Sequence, residues 1–308
     1  MILMIREQSR SPTGDLRWPL RLAAILVLSS FTAWTQPVIN TVAGSGRTLH
    51  GVGGPATAVP LGNPYYLAVD ANNNLYVSDR IYNTVAKITP GGILTQFAGS
   101  GIFGFSGDGG LATQASFVFA LGMTFDGLGN AFIADGENGR VRQVDPAGII
   151  NTVAGGNCCA NNMGDGGPAI DAWLAITSSA TIGPNGNLYI ADTYHEVIRK
   201  VDGNGIISTV AGQVNASTLN GIGGYAGDGG PATQALLNTP TRVVFDNAGD
   251  MFICDNNNSR VRKVTPDGII STFAGGGIIT ASNGIPGIPA TALSLSGPGR
   301  RPKTPVRW

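Results

Sequence analysis

Charge is scarce in this chain. Only 12% of the 308 residues are charged, and 19 basic groups balance 19 acidic ones. A neutral chain offers a polyanion no electrostatic grip, so nucleic acid is not an expected partner. Histidine occurs twice, and no Cys/His spacing suits a zinc site. Three cysteines are an odd number, so at least one is unpaired within the chain. Cys254 stands where other repeats carry Ser78, Ala134 and Ala191, and it reads as a small buried strand residue. For Cys158-Cys159 an interchain bond, the reduced state and a strained vicinal disulfide all stay open. No nucleophile elbow or Ser-His-Asp order is visible.

Long apolar runs are also missing. Leu22–Leu28 is far shorter than the roughly 20 residues of a membrane span. Arg6, Arg10, Arg17 and Arg21 precede or open that run, and Ala33-Trp34-Thr35 follows as a small-x-small site. This pattern reads as an export signal over 1–35. It implies a secreted, periplasmic or cell-surface protein with no membrane span after signal removal.

What the chain has in plenty is glycine, 46 residues, and a recurring block. The segments INTVAG (39–44), LTQFAG (94–99), INTVAG (150–155), ISTVAG (207–212) and ISTFAG (270–275) recur. Between them come LYVSD, AFIAD, LYIAD and MFICD, ending at Asp79, Asp135, Asp192 and Asp255. Those aspartates are 56, 57 and 63 residues apart. Four short apolar runs per unit at such a period predict an all-β propeller of four-stranded blades.

One unit shows the parse. Gly122–Asp126 and Ala131–Ala134 are strands joined by Gly127-Leu-Gly-Asn130, a turn that tolerates positive φ. The second strand is apolar throughout, as expected when both faces are buried. Arg140–Val144 alternates, so one face is expected to be wet. Ile149–Ala154 completes the sheet. The same parse fits 66–98, 179–211 and 242–274. It gives four complete blades within repeats 61–99, 117–155, 174–212 and 236–275, plus an N-terminal strand and a partial repeat at 292–299. A basic tail, 300–308, follows. The connectors and the turns between second and third strands share one face, which is the expected binding face.

These residues resemble the NHL-repeat family of β-propellers. Phe125-Asp126, Gly129-Asn130, Ile133-Ala134-Asp135, Asn138 and Arg140-Val141 match the family pattern, and so do Asp246, Asp255, Asn258 and Arg260-Val261. Thr84, Gly183 and Glu196 depart from it. Connectors reading Gly107-Asp-Gly-Gly-Leu-Ala-Thr113, Gly164-Asp-Gly-Gly-Pro-Ala-Ile170 and Gly227-Asp-Gly-Gly-Pro-Ala-Thr233, with a degenerate Gly51–Thr57, resemble secreted bacterial NHL proteins and the teneurin-like NHL region. The resemblance implies an interaction scaffold, with a few enzymes among such domains.

Several residues are candidates for a site. Asp108, Asp165 and Asp228 of the connectors are weak calcium candidates, against the reading of a shared turn. Asp135, Asp192 and Asp255, with Asp79, end the second strands and suit a ligand-facing carboxylate ring, against caps for the following turn. Arg140 and Arg260 are expected to pair locally with Asp135 and Asp255. The unrepeated Arg80, Tyr82, Glu137, Tyr194 and His195 are candidates for recognition, and His50 reads as a loop residue.

Three functions follow. The first is a scaffold that binds protein or carbohydrate without a cofactor. The second is a metal-dependent lyase or lactonase, an activity that related propellers imply; two histidines argue against it. The third is a truncated piece of a longer repeat protein, suggested by the shift to Gly299-Arg-Arg-Pro-Lys-Thr-Pro-Val-Arg-Trp308, where a further strand is due.

Overall fold

The computed structural model describes residues 52–157, 163–214, 221–277, 279–280 and 289–295. The expected export signal, the expected strand at 38–43, His50, Cys158, Cys159 and the basic tail lie outside the described residues.

The first blade comprises β1 (Pro64–Val69), β2 (Leu75–Asp79), β3 (Thr84–Ile88) and β4 (Leu94–Ala98). The second comprises β5 (Ala120–Phe125), β6 (Ala131–Asp135), β7 (Arg140–Val144) and β8 (Ile150–Ala154). The third comprises β9 (Thr177–Ile182), β10 (Leu188–Asp192), β11 (Val197–Val201) and β12 (Ile207–Ala211). The fourth comprises β13 (Pro240–Phe245), β14 (Met251–Asp255), β15 (Arg260–Val264) and β16 (Ile270–Gly275). Each is a four-stranded antiparallel meander in chain order.

Local chemistry sets the turns. Asp126 Oδ1 accepts the N–H groups of Leu128 and Asn130 at 2.9 and 2.8 Å, while Asn130 Nδ2 donates to Oδ2 at 2.7 Å. Gly129 takes φ 85°, which glycine adopts without a Cβ penalty. The Asp…Gly-Asn pattern is therefore a turn device. Asp70 and Asp246 repeat its backbone part.

Strand faces alternate between neighbours. Met123, Ile133 and Ile150 of the second blade pack with Tyr76 and Val85 of the first. Tyr76 meets Phe125 with ring centroids 4.6 Å apart, and Tyr189 of the third blade meets Phe245 of the fourth at the same distance. Leu67 and Val69 of β1 and Val244 and Phe273 of the fourth blade are exposed.

Cys254 is correspondingly half-buried, not buried as its sequence position suggested. Its counterpart Ala191 is covered by Val243 and Ile253 of the fourth blade.

The connectors do more than cross one face. Gly109 donates to Ile150 O at 2.9 Å, and Ile150 N donates to Gly110 O at 3.0 Å. Matching bonds run from Gly166 to Ile207 O and from Gly229 to Ile270 O. Each connector thus lies along the outermost strand of its blade and covers the open edge. A single 3-10 turn follows, as at Ala112–Gln114 and Ala232–Gln234. Its first alanine donates to the blade's third turn and accepts from a glycine closing the preceding blade (Ala112 N to Gly148 O, Gly99 N to Ala112 O, both 2.8 Å). A further 3-10 turn lies at Ala290–Ala292, where the partial repeat at 292–299 was expected to begin.

Candidate functional site

The four second-strand aspartates are anchors with no exposure at all. Each accepts a backbone N–H from the approach to its own blade: Gly62, Val118, Ala175 and Asn238 donate to Asp79, Asp135, Asp192 and Asp255. Only Asp79 also caps the N–H groups of its following turn, at Ile81 and Tyr82. The expected carboxylate ring is therefore turned inward. Burial is the largest influence on Asp135 and raises it to about 6, against hydrogen bonds from Asn138 and Val118 and the charge of Arg142. Burial likewise raises Asp255.

Local pairing with Arg140 and Arg260 does not occur. Arg142 Nη1 and Arg262 Nη1 approach Asp135 and Asp255 instead, each at 3.3 Å, and Arg199 stands 3.6 Å from Asp192. All three arginine side chains are fully buried. This corrects the expectation of a wet face on the third strand. Arg142 follows Val141 by one residue, so alternation aims it at the connector, where Asp108 meets it at 2.8 Å. Asp165 and Asp228 meet Arg199 and Arg262 at 2.5 and 2.6 Å. The connector carboxylates considered for calcium are thus held by guanidinium groups. Among the described residues no group of three or more His, Cys, Asp or Glu could hold a metal ion.

Arg140 and Arg260 lie under aromatic rings of the connectors. Arg140 is 4.0 Å from the Phe105 ring centroid and Arg260 is 3.7 Å from that of Tyr225. Burial pushes Asp228 up, but bonds from Thr272 and Tyr225 and the charge of Arg262 outweigh it, leaving its carboxyl lowered.

His195 is not on the surface. It is fully buried, with Nδ1 2.8 Å from Asp192 Oδ2 and its ring edge-on to Trp173. Asn138 and Asn258 make the same contact to Asp135 and Asp255 from the equivalent position. Tyr82 holds that position in the first blade and is half-buried. Arg80 is exposed, its guanidinium 4.3 Å from the ring centroid of Phe119. Glu137 and Tyr194 are exposed on the second-to-third strand turns.

In each blade the turn presents an exposed side chain at the second position after the anchor: Ile81, Glu137, Tyr194 and Asn257. Sequence reasoning named Glu137 and Tyr194 but not Ile81 or Asn257. It also missed Arg142, Arg199 and Arg262, whose signal was available. Wherever the third strand carries that arginine, the connector carries its aspartate. In the first blade both are replaced, by Ala86 and Val52.

Four antiparallel sheets, each edge-covered and three of them pinned by buried Asp–Arg pairs, define a protein of β-propeller blades. In sequence, its repeats are those of the teneurin-like NHL region. Teneurin-3 of Mus musculus is 30% identical over 237 residues, which are 68% of this chain and 8% of that protein. Teneurin-1 of Homo sapiens is 27% identical over 261 residues, 76% of this chain and 9% of that protein. The chain thus spans only a small part of the relatives it matches. No family model matches it.

Among solved structures, an auxiliary nutrient binding protein from Bacteroides ovatus aligns with a TM-score of 0.49 and 18% identity, covering 71% of this chain and 48% of that one. Virginiamycin B lyase from Staphylococcus aureus aligns with a TM-score of 0.44 and 14% identity, covering 68% and 55%. Neither likeness carries a function across. Among the described residues no helix is long and apolar enough to cross a membrane.

Proposed function

We propose that this chain is an exported scaffold that binds a protein or carbohydrate through its second-to-third strand turns. The observation that supports this reading is the contrast within each turn. The anchor aspartate and the residue three places on are drawn into the blade. The second position after the anchor is exposed and changes from blade to blade: Ile81, Glu137, Tyr194, Asn257. An apolar, an acidic and an aromatic group, held on strand ends, suit recognition better than structure, while the Asn257 amide also donates to Asn238 Oδ1 and Thr239 Oγ1. Export rests on the basic residues and apolar run of the first 35 positions.

The test is binding of the chain lacking 1–35 to a glycan array and to an array of extracellular proteins. The wild type is expected to bind on one of them. The double substitution Glu137→Ser and Tyr194→Ser should keep the melting temperature and weaken that binding by about tenfold or more. No binding on either array, or equal binding by the variant, overturns the proposal.

A further inference from the structure

The first blade lacks the buried cluster that the second, third and fourth share, and a cavity of about 250 Å³ stands at its position. Ala86, Val52 and Gln96 line it. They occupy the places of Arg142, Asp108 and Thr152 in the second blade, where those three side chains bond to one another. Thr84, in the place of Arg140, and Leu94 also line it, with Ile81 at the rim. The floor is closed, since Leu94 is fully buried and Ala86 nearly so, while Val52 and Ile81 are exposed at the mouth.

Charge decides what fits. The second blade's cluster holds one guanidinium and two carboxylates. The first blade has lost the guanidinium and one carboxylate together and keeps Asp79. The net charge is unchanged, and Asp79 is already satisfied by four backbone N–H groups, from Gly62, Asn63, Ile81 and Tyr82. A cation entering would give up its hydration without the second carboxylate that balances Arg142. A neutral occupant suits the site. One polar group calls for a partner, because Thr84 Oγ1 is buried and makes no hydrogen bond.

The fourth blade shows the shape of such an occupant. There Tyr225 lays its ring over Arg260 and Arg262, the positions of Thr84 and Ala86, with centroid distances of 3.7 and 5.0 Å. Its hydroxyl reaches Asp228 and Thr272, the positions of Val52 and Gln96, at 2.8 and 3.0 Å. Phe105 covers Arg140 and Arg142 in the second blade. The sequence position matching these rings in the first blade is Leu49, outside the described residues, and leucine supplies neither ring nor hydroxyl.

We infer that the cavity of the first blade is a binding site for a neutral phenolic group, which takes there the place that Tyr225 takes in the fourth. Its volume is ample, since an apolar cavity of about 150 Å³ accommodates benzene in another protein. A phenol can come from a tyrosine side chain of a bound protein or from a free small molecule.

The test is a methyl-resolved NMR titration of the chain lacking 1–35 with phenol, benzene and N-acetyltyrosinamide. Phenol should shift the methyl signals of Val52, Ala86 and Leu94, and bind about five- to tenfold more tightly than benzene. Thr84→Val should remove that preference. Ala86→Met and Ala86→Phe, which fill the site from its floor, should each weaken phenol binding by about tenfold or more. Entry of N-acetyltyrosinamide as well would point to a protein side chain as the source, and entry of phenol alone to a free molecule. No shift with either, or phenol binding that survives both filling substitutions, overturns the inference. The Glu137→Ser and Tyr194→Ser variant should bind phenol like the wild type, so failure of the turn-face proposal and failure of this one are distinguishable.

Discussion

Arg142 Nη1 lies 3.3 Å from Asp135 Oδ2, and neither side chain has any exposure to solvent. Arg262 and Asp255 repeat the distance in the fourth blade. The pairs join the third strand to the second, and through Asp108 and Asp228 they join both to the connector. Buried ion pairs of this kind add little net stability over apolar packing, yet losing one partner is costly because the other is left charged and dry.

Arg142→Met is therefore expected to cost about 3–5 kcal/mol in urea unfolding. The first blade suggests how the cost can be reduced. Arg142→Ala combined with Asp108→Val copies Ala86 and Val52, removing a cation and an anion together. The double variant should be less destabilised than the sum of the two single ones, with a coupling of about 1 kcal/mol or more in a double-mutant cycle. Strict additivity would show that the connector aspartate does not share the arginine's energetics.

Acidity should tune stability in a defined direction. Burial raises the folded-state Asp135 from 3.8 to about 6, so the folded chain holds its proton more tightly than the unfolded chain. The resulting contribution is fully present below pH 3.8 and is lost as pH rises through about 6. Asp255 and Glu196 are raised in the same direction, mainly by burial. Asp70 and Asp228 are lowered, so their contribution is lost at the acid end. Melting temperature should decline between about pH 4 and pH 6, and Asp135→Asn should flatten that decline. An unchanged slope in the variant would count against the assignment.

The sequence made the blades legible because each strand is short, apolar on the packed face and bounded by glycine or an Asx turn. Asp126, Gly129 and Asn130 announce their turn by type alone. Arg142 was harder to read. In a lone sequence, Arg-Val-Arg-Gln-Val looks like a strand with a solvated face, and only the connector folding back along the outer edge turns that face inward. The partnership of Arg142 with Asp108 spans 34 residues, beyond any periodicity argument. His195 was misplaced for a related reason. As an unmatched histidine in a turn it suggested recognition, yet it fills the role that Asn138 and Asn258 fill elsewhere. The exposed positions at Ile81 and Asn257 carry no signal until their neighbours are known to be buried.

His195→Asn should accordingly be tolerated, with a change in unfolding free energy within about 1 kcal/mol, since asparagine serves the same aspartate in two other blades. His195→Ala removes both the bond to Asp192 and the packing on Trp173, and about 2–3 kcal/mol is expected. Thermal unfolding of the two variants side by side checks this. An equal loss in both would mean that the imidazole does something an amide cannot.

Blade-to-blade contact is the remaining source of stability, and Gly122 reports on it. A Cβ there would sit 2.7 Å from Ser179 Cβ and 2.8 Å from Ser179 Cα, on the first strand of the next blade. Backbone that is itself hydrogen-bonded in a sheet cannot retreat cheaply, so Gly122→Ala should destabilise by about 1–3 kcal/mol. Gly127, five residues on in the first turn, has nothing within 4 Å of its Cβ position and no positive φ. Gly127→Ala should be neutral or stabilising by up to about 1 kcal/mol through the unfolded chain. Urea unfolding separates the two. If they behave alike, the first strands are not packed as closely as the sheets indicate. If they diverge as expected, the stability of each blade depends on the backbone of the next, and a ligand that locks one blade should raise the unfolding barrier of its neighbours as well.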